Sequence, residues 1–191
     1  MDPVPLDPGT YAGTYKLIGG SPALDFANLV SYRDTPRAHD WLEPPANLRR
    51  WVDAVGLDVP VPASVADLVA LREALAAVLL AVADGRDPRG RGLDLIARLA
   101  ADARARQVLR WDPGDSSAAW RSPDPTLRDL LALDAARLLT DGHLRRRIGA
   151  CDECRWVYLD TTRNRSRRWC DPADCGNRAR QRRHYRRSRH A

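Results

Sequence analysis

Apolar residues recur at three- and four-residue spacing over much of the chain and give way to alternating or polar stretches elsewhere, which divides it into helices and short hairpins. The clearest helix spans 64–84, where Leu68, Leu71, Leu75, Val78, Leu79 and Val82 form more than one apolar stripe, with Ser64 to cap the start and Gly85 to end it. A helix that is apolar on more than one side belongs inside a core. The same reasoning predicts helices at 23–30 after Ser21-Pro22, at 45–55 between Pro44-Pro45 and Gly56, at 92–106, and at 125–141. Segments 107–111 and 118–121, joined by Asp112-Pro113-Gly114-Asp115, read as a hairpin. Residues 15–18 read as a short strand, and 1–14, rich in Pro, Gly and Asp, as a flexible arm.

Past residue 143 the pattern changes. Two short strands, 144–148 and 155–160, flank a tight turn, and all four cysteines of the chain lie in this part, as Cys151-x2-Cys154 on the turn and Cys170-x4-Cys175 after the second strand. Two close pairs with fifteen residues between them suit a tetrahedral Zn2+ site, because each turn supplies two thiolates and the intervening chain closes the other half. Such a metal would fix a segment too small to build a core of its own. Disulfides, free thiols and iron–sulfur ligation are the alternatives; the first suits an oxidising compartment, and nothing else in the chain suggests electron transfer. The predicted fold class is therefore mainly α: a helical N-terminal domain (15–143) with a small β-hairpin, and a C-terminal four-cysteine zinc finger (144–191) made of a knuckle hairpin and a basic helix starting near Cys175. Gly176 is expected to let the backbone approach the metal ligand.

Charge sharpens the division. The chain carries +6, but residues 151–191 hold twelve arginines against five acids, a local charge of +7, so the preceding 150 residues carry −1. Thirty of the 31 basic residues are arginine, Lys16 being the exception, which favours forked contacts to phosphate. On a helix from Cys175, Arg178, Arg182, Arg186 and Arg189 share one side and Arg180, Arg183 and Arg187 another, a distribution suited to a polyanion. Arg163, Arg165, Arg167 and Arg168 would extend that surface if zinc folds their loop back, and Trp169 and Tyr185 are aromatic candidates, Trp169 more as a packing residue. The candidate nucleic-acid contacts are Arg167, Arg168, Asn177, Arg178, Arg180, Arg182, Arg183, Arg186 and Arg187; a solvated tail or an acidic protein partner is the competing reading.

Two stretches resemble a known family. Arg168-Trp169-Cys170 followed by Cys175-Gly176-Asn177-Arg178 resembles the signature of CGNR-type zinc fingers, and the run from Gly19 through Ser21-Pro22-Ala23-Leu24-Asp25-Phe26-Ala27 to Asn28 is similar to the opening of the ABATE domain found with them. The resemblance implies a mainly helical N-terminal domain and a stress-induced transcription regulator, which favours DNA over RNA as partner.

Other classes find little support. His39, His143, His184 and His190 show no catalytic or metal-ligand spacing, no phosphate loop or nucleophile elbow is present, and four thiolates would leave zinc no open position, so no enzyme is expected. Asp25 and Asn28, one helical turn apart, are candidates to line a small-molecule effector pocket, with structural hydrogen bonding as the alternative. The start Met1-Asp2-Pro3 lacks a signal-peptide layout, and the longest apolar run, 65–83, is broken by Asp67, Arg72 and Glu73, so a soluble cytoplasmic chain without membrane partners is expected. The sequence thus reads as a zinc-dependent DNA-binding regulator, with an RNA-binding or protein-interaction module as the second possibility. A single short finger would suit a homodimer, though no heptad pattern marks an interface.

Overall fold

The interrupted apolar stripes fold into a helical layer that shares one core with the cysteine segment. The computed structural model describes residues 2–114 and 116–188, and for His184 the backbone alone. In chain order the elements are α1 (Pro22–Ala27), β1 (Val30–Ser31), β2 (His39–Asp40), α2 (Ala46–Val55), α3 (Ala66–Ala83), α4 (Arg91–Ala105), β3 (Val108–Asp112), β4 (Ser117–Arg121), α5 (Leu127–Thr140), α6 (Gly142–Arg145), β5 (Ile148–Ala150), β6 (Val157–Leu159) and α7 (Cys175–Ser188). The strands form three antiparallel pairs, β1-β2, β3-β4 and β5-β6. No helix among the described residues is long and apolar enough to cross a membrane.

α3 runs through the centre, as its several apolar stripes require: Leu71, Leu75 and Leu79 are wholly buried, and α1, α4, α5, β5 and β6 pack around it. Its one buried cation, Arg72, is held by a forked pair of hydrogen bonds to Asp40 of β2 at 2.6 and 2.8 Å, so the charge stays compensated inside. Gly56 ends α2 at φ 73° and takes the left-handed cap that a side chain would resist. Thr126 caps α5 by accepting from the Asp129 amide at 3.1 Å.

Several local expectations are displaced. Residues 1–14 are not a free arm: Val4 and Leu6 are buried, Val4 bridges to Tyr15, and Asn47 exchanges hydrogen bonds with the backbone of Asp7 at 2.8 and 2.9 Å. Two apolar side chains spaced to face one way suffice to dock a Pro-rich segment. Residues 15–18 contribute that single bridge and no strand. The predicted strand at 144–148 starts later, because Asp141 accepts from the amides of His143 (2.7 Å) and Leu144 (3.1 Å) and caps the short α6 instead. The hairpin β3-β4 forms with Leu109 opposite Trp120, and Leu109, Trp111 and Trp120 stand more than half exposed.

The two halves are fused. Ile148, Trp156, Val157, Tyr158 and the four cysteines belong to the same buried cluster as Tyr15, Trp41 and Leu75. Asn28, at the end of α1, forms both hydrogen bonds of its amide with Val157 of β6, donating to the carbonyl and accepting from the N–H at 2.8 Å each. Leu159 N–H donates to the Gly19 carbonyl at 2.8 Å, and Arg155 forks onto Asp84 beyond α3 at 2.7 and 2.8 Å. Asn28→Ala would strand both backbone groups of Val157 in the interior, so we expect a loss of about 2–4 kcal/mol in urea unfolding of the full chain. A loss of only a few tenths would show that the amide is not a tie between the halves.

Candidate metal centre and cationic helix

The first two cysteines sit on a knuckle. β5 delivers Cys151, whose N–H donates to the Trp156 carbonyl at 2.8 Å and whose carbonyl accepts from Arg155 N–H at 3.0 Å. Arg155 closes the turn in the left-handed region at φ 64°. The Glu153 amide points at the Cys151 sulfur, 3.4 Å away, a contact that favours a thiolate. The second pair is brought across by Asp152 N–H donating to the Arg168 carbonyl at 3.0 Å. Asp171 turns the chain by accepting from the Ala173 amide at 2.8 Å, and α7 then starts on Cys175, where the free N–H groups of a helix start favour negative sulfur.

All four cysteines are buried, and their sulfurs lie within 4.8 Å of one another. Cys170 Sγ is 3.5 Å from Cys154 Sγ and 3.4 Å from Cys175 Sγ. A tetrahedral zinc with Zn–S bonds of about 2.3 Å requires sulfurs roughly 3.8 Å apart, whereas a disulfide requires about 2.05 Å, so the arrangement fits the metal and not a bridge. Hydrogen bonds with the other three sulfurs pull Cys151 far below the ordinary thiol range, whereas those with Cys151 and Cys175 push Cys154 up and those with the other three sulfurs push Cys170 up. Four thiolates cannot share one buried volume unless a cation sits among them. With four sulfur donors the shell is closed, and the ion's contribution is to hold the fold.

Around this centre the cations divide into struts and a free face. Arg167, expected among the nucleic-acid contacts, is committed inward: it donates to the carbonyls of Cys170 (2.5 Å), Trp169 (3.1 Å), Leu159 and Ile18 (both 3.4 Å) and lies 4.1 Å over the Tyr158 ring. Backbone carbonyls left open by the irregular cysteine loop explain the recruitment. Arg178 hydrogen-bonds the Tyr32 hydroxyl, and Arg182 pairs with Glu153 on the knuckle. Those two contacts fix the direction of α7. Arg168 pairs with Asp152 at 2.6 Å, and Arg180 donates to Asn177 Oδ1 at 2.7 Å. Arg183, Arg186 and Arg187 are exposed and have no acidic partner among the described residues. At 100° per residue, Arg180, Arg183 and Arg187 span roughly 60° on the side away from Arg178 and Arg182. Arg189, His190 and the His184 side chain lie outside the described residues.

Trp169 is a packing residue, its ring against Gly176, where an added Cβ would meet it at an ordinary 3.5 Å; the glycine faces the tryptophan and not the metal. Asp25 and Asn28 are both buried, and their polar groups bond to the backbone. Asp25 accepts from Gly19 N–H at 2.7 Å, and burial pushes its carboxyl up to about 6; the Asn28 amide is spent on Val157. A different cleft, of about 220 Å³, lies where the halves meet, lined among others by Tyr11, Lys16, Tyr32, Trp156, Arg178 and Cys175. Lys16 bridges Asp171 and Asp174 there, at 2.7 Å each. No local sequence signal marks Tyr32, Glu153 or this cleft, since each acts through a contact more than 25 positions away.

A helical domain fused to a closed four-thiolate centre that carries a cationic helix defines a structural zinc-finger protein. Residues 20–142 match the ABATE family model, described as "Putative stress-induced transcription regulator", and residues 147–188 match the model of the CGNR zinc finger. The chain belongs to the ABATE family, and its C-terminal part is a CGNR zinc finger. No curated protein matches the chain.

Proposed function

We propose that the protein is a DNA-binding transcription regulator in which zinc and two arginine struts aim α7 at the duplex while residues 15–143 sense a small ligand or partner. The observation that carries this reading is the division of α7 into two sides. Arg178 and Arg182 anchor one, which leaves Arg183 and Arg187 exposed on the other and Arg186 exposed beside Arg182, on a helix held in a fixed direction. A solvated tail needs no such anchoring. Cations arranged on a rigid rod can meet several phosphates at once and release their counterions together. The family description supports a regulatory role. The cleft beneath Tyr11 and Tyr32 suits the sensing part, because Arg178 and the Cys175 end of α7 form part of its wall; an occupant there could shift the helix it touches. Zinc takes no part in catalysis in this reading, its shell being complete.

The test is competition. The zinc-loaded full chain should hold duplex DNA more tightly than structured RNA of equal charge or an acidic polymer, in fluorescence anisotropy at fixed salt. Preference for RNA would move the protein to the second reading, an RNA-binding module, and equal affinity for all three would leave a general polyanion binder.

A further inference from the structure

A second cationic site lies at the other end of the β5-β6 hairpin. The zinc knuckle joins the strands at their Cys151 end, whereas α6 enters β5 and the cysteine loop leaves β6 at the open end, about 10 Å away along three-residue strands. There a pocket of about 230 Å³ is lined by His143, Arg146, Arg147 and Arg165 and no other residue. A neighbouring hollow of about 310 Å³ shares Arg146, Arg147 and Arg165 and reaches Asn164 and Tyr158. We propose that the guanidiniums of Arg146 and Arg165, beside Arg147 and His143, form a binding site for a phosphate group.

The loop that builds the site is ordered from within. Asp160 accepts from Thr162 N–H (2.8 Å), Thr162 Oγ1 (2.6 Å) and Arg167 N–H (2.9 Å); burial pushes its carboxyl up, but these bonds outweigh burial and hold it below the usual carboxylate range. Arg147 clasps the same loop, donating to the carbonyls of Asp160 at 2.8 Å and Thr162 at 3.2 Å, and its Nε donates to His143 Nε2 at 3.2 Å, so it frames the pocket while Arg146 and Arg165 stay open. Arg165 follows in the left-handed conformation at φ 50°, which turns it toward the arginines of the α6 side. Asp160 is the one acid on either wall, and its oxygens are already engaged inside the loop. The side chains of Arg146 and Arg165 have no hydrogen-bond partner among the described residues. Three cations gathered without counter-charge repel one another, and an anion among them relieves that repulsion. Guanidinium forks match the oxygens of a phosphate, and a pocket of this size admits one phosphoryl group with room for a small substituent. The inference stands without the proposed role of α7, since none of its residues lies on that helix.

The experiment uses the zinc-loaded full chain at low salt, with inorganic phosphate, a nucleoside monophosphate and duplex DNA as probes. The variants are Arg146→Ala, Arg146→Lys and Arg165→Asn, asparagine being at ease in the left-handed region. Calorimetry should show saturable phosphate binding that falls at least tenfold in R146A combined with R165N, recovers in part with R146K, and is unchanged in R183A combined with R187A, while zinc content and melting temperature stay at their parent values. If the phosphate comes from a nucleic-acid backbone, R146A with R165N also lowers the salt slope of duplex binding by about two and inorganic phosphate competes with the duplex. If it belongs to a small phosphorylated molecule, duplex binding is unaltered and the nucleoside monophosphate binds more tightly than phosphate. Absence of saturable binding by every probe at this pocket, or binding indifferent to R146A and R165N, would overturn the proposal.

Discussion

Stripping the metal from the full-length chain is expected to lower its melting temperature by roughly 8–16 °C, and Cys170→Ser should do nearly the same. A ligand held by the native state alone stabilises it through mass action, about 4 kcal/mol when free zinc exceeds its dissociation constant a thousandfold. For a chain of 191 residues each kcal/mol moves the midpoint by about 2–4 °C. The effect should reach the whole chain and not the finger alone, because Cys151 and Cys175 share a core with Tyr15 and Leu75, and Asn28 and Arg155 fasten β6 and its turn to the helical half. Cys170 is the most informative position, with its sulfur 3.5 Å or less from two of the others. Elemental analysis should give one zinc per chain in the parent. A chelated chain that melts at the parent temperature, or a parent that holds no metal, would remove the centre from the account.

The second large effect should appear on α7. Replacing Arg183, Arg186 and Arg187 together by Ala deletes three exposed guanidiniums without an acidic partner, and alanine favours the helix they leave. Each phosphate contact contributes about 0.9 to the dependence of log affinity on log salt, so the duplex-binding slope should become shallower by about 2.7. Parent and variant should therefore differ most at low salt and converge as salt rises. Arg182→Ala should act by another route: its loss frees Glu153 on the knuckle and loosens the direction of the helix, so affinity should fall by more than one phosphate contact explains. An unchanged slope in the triple variant would place the nucleic-acid surface elsewhere or nowhere.

The split of the α7 arginines into those that hold the helix and those left exposed explains why the arginine pattern could not be apportioned along the chain. On a bare helix Arg178 and Arg182 look the same as Arg183 and Arg187, all of them cations at helical spacing. What separates them is Tyr32 and Glu153, brought against α7 from 146 and 29 positions away. Arg167 differs again, since its role follows from carbonyls that the cysteine loop leaves without partners. The pocket expected at Asp25 and Asn28 shows the same limit. Asp25 and Asn28 share a face of α1, but their polar groups are consumed by Gly19 and Val157, and the cleft lined by Lys16, Tyr32 and Arg178 is assembled from the N-terminal segment, the knuckle and the root of α7.

By itself the sequence determined whatever depends on short spacing: the helices read at 45–55, 64–84, 92–106 and 125–141, which the structure holds to within two residues and whose stripes are local; the hairpin; the four-sulfur centre; and the start of the basic helix near Cys175. Local patterns suffice there because helical periodicity and metal-ligand spacing are set by bonds within a few residues of one another. Only the tertiary structure decided that residues 2–14 dock, that finger and helical domain share one core, which arginines are spent on holding α7, and that Arg146, Arg147 and Arg165 converge. Those outcomes depend on which buried backbone groups and charges need a partner once the chain has closed on itself, and the partner is supplied by a segment whose distance along the sequence carries no signal.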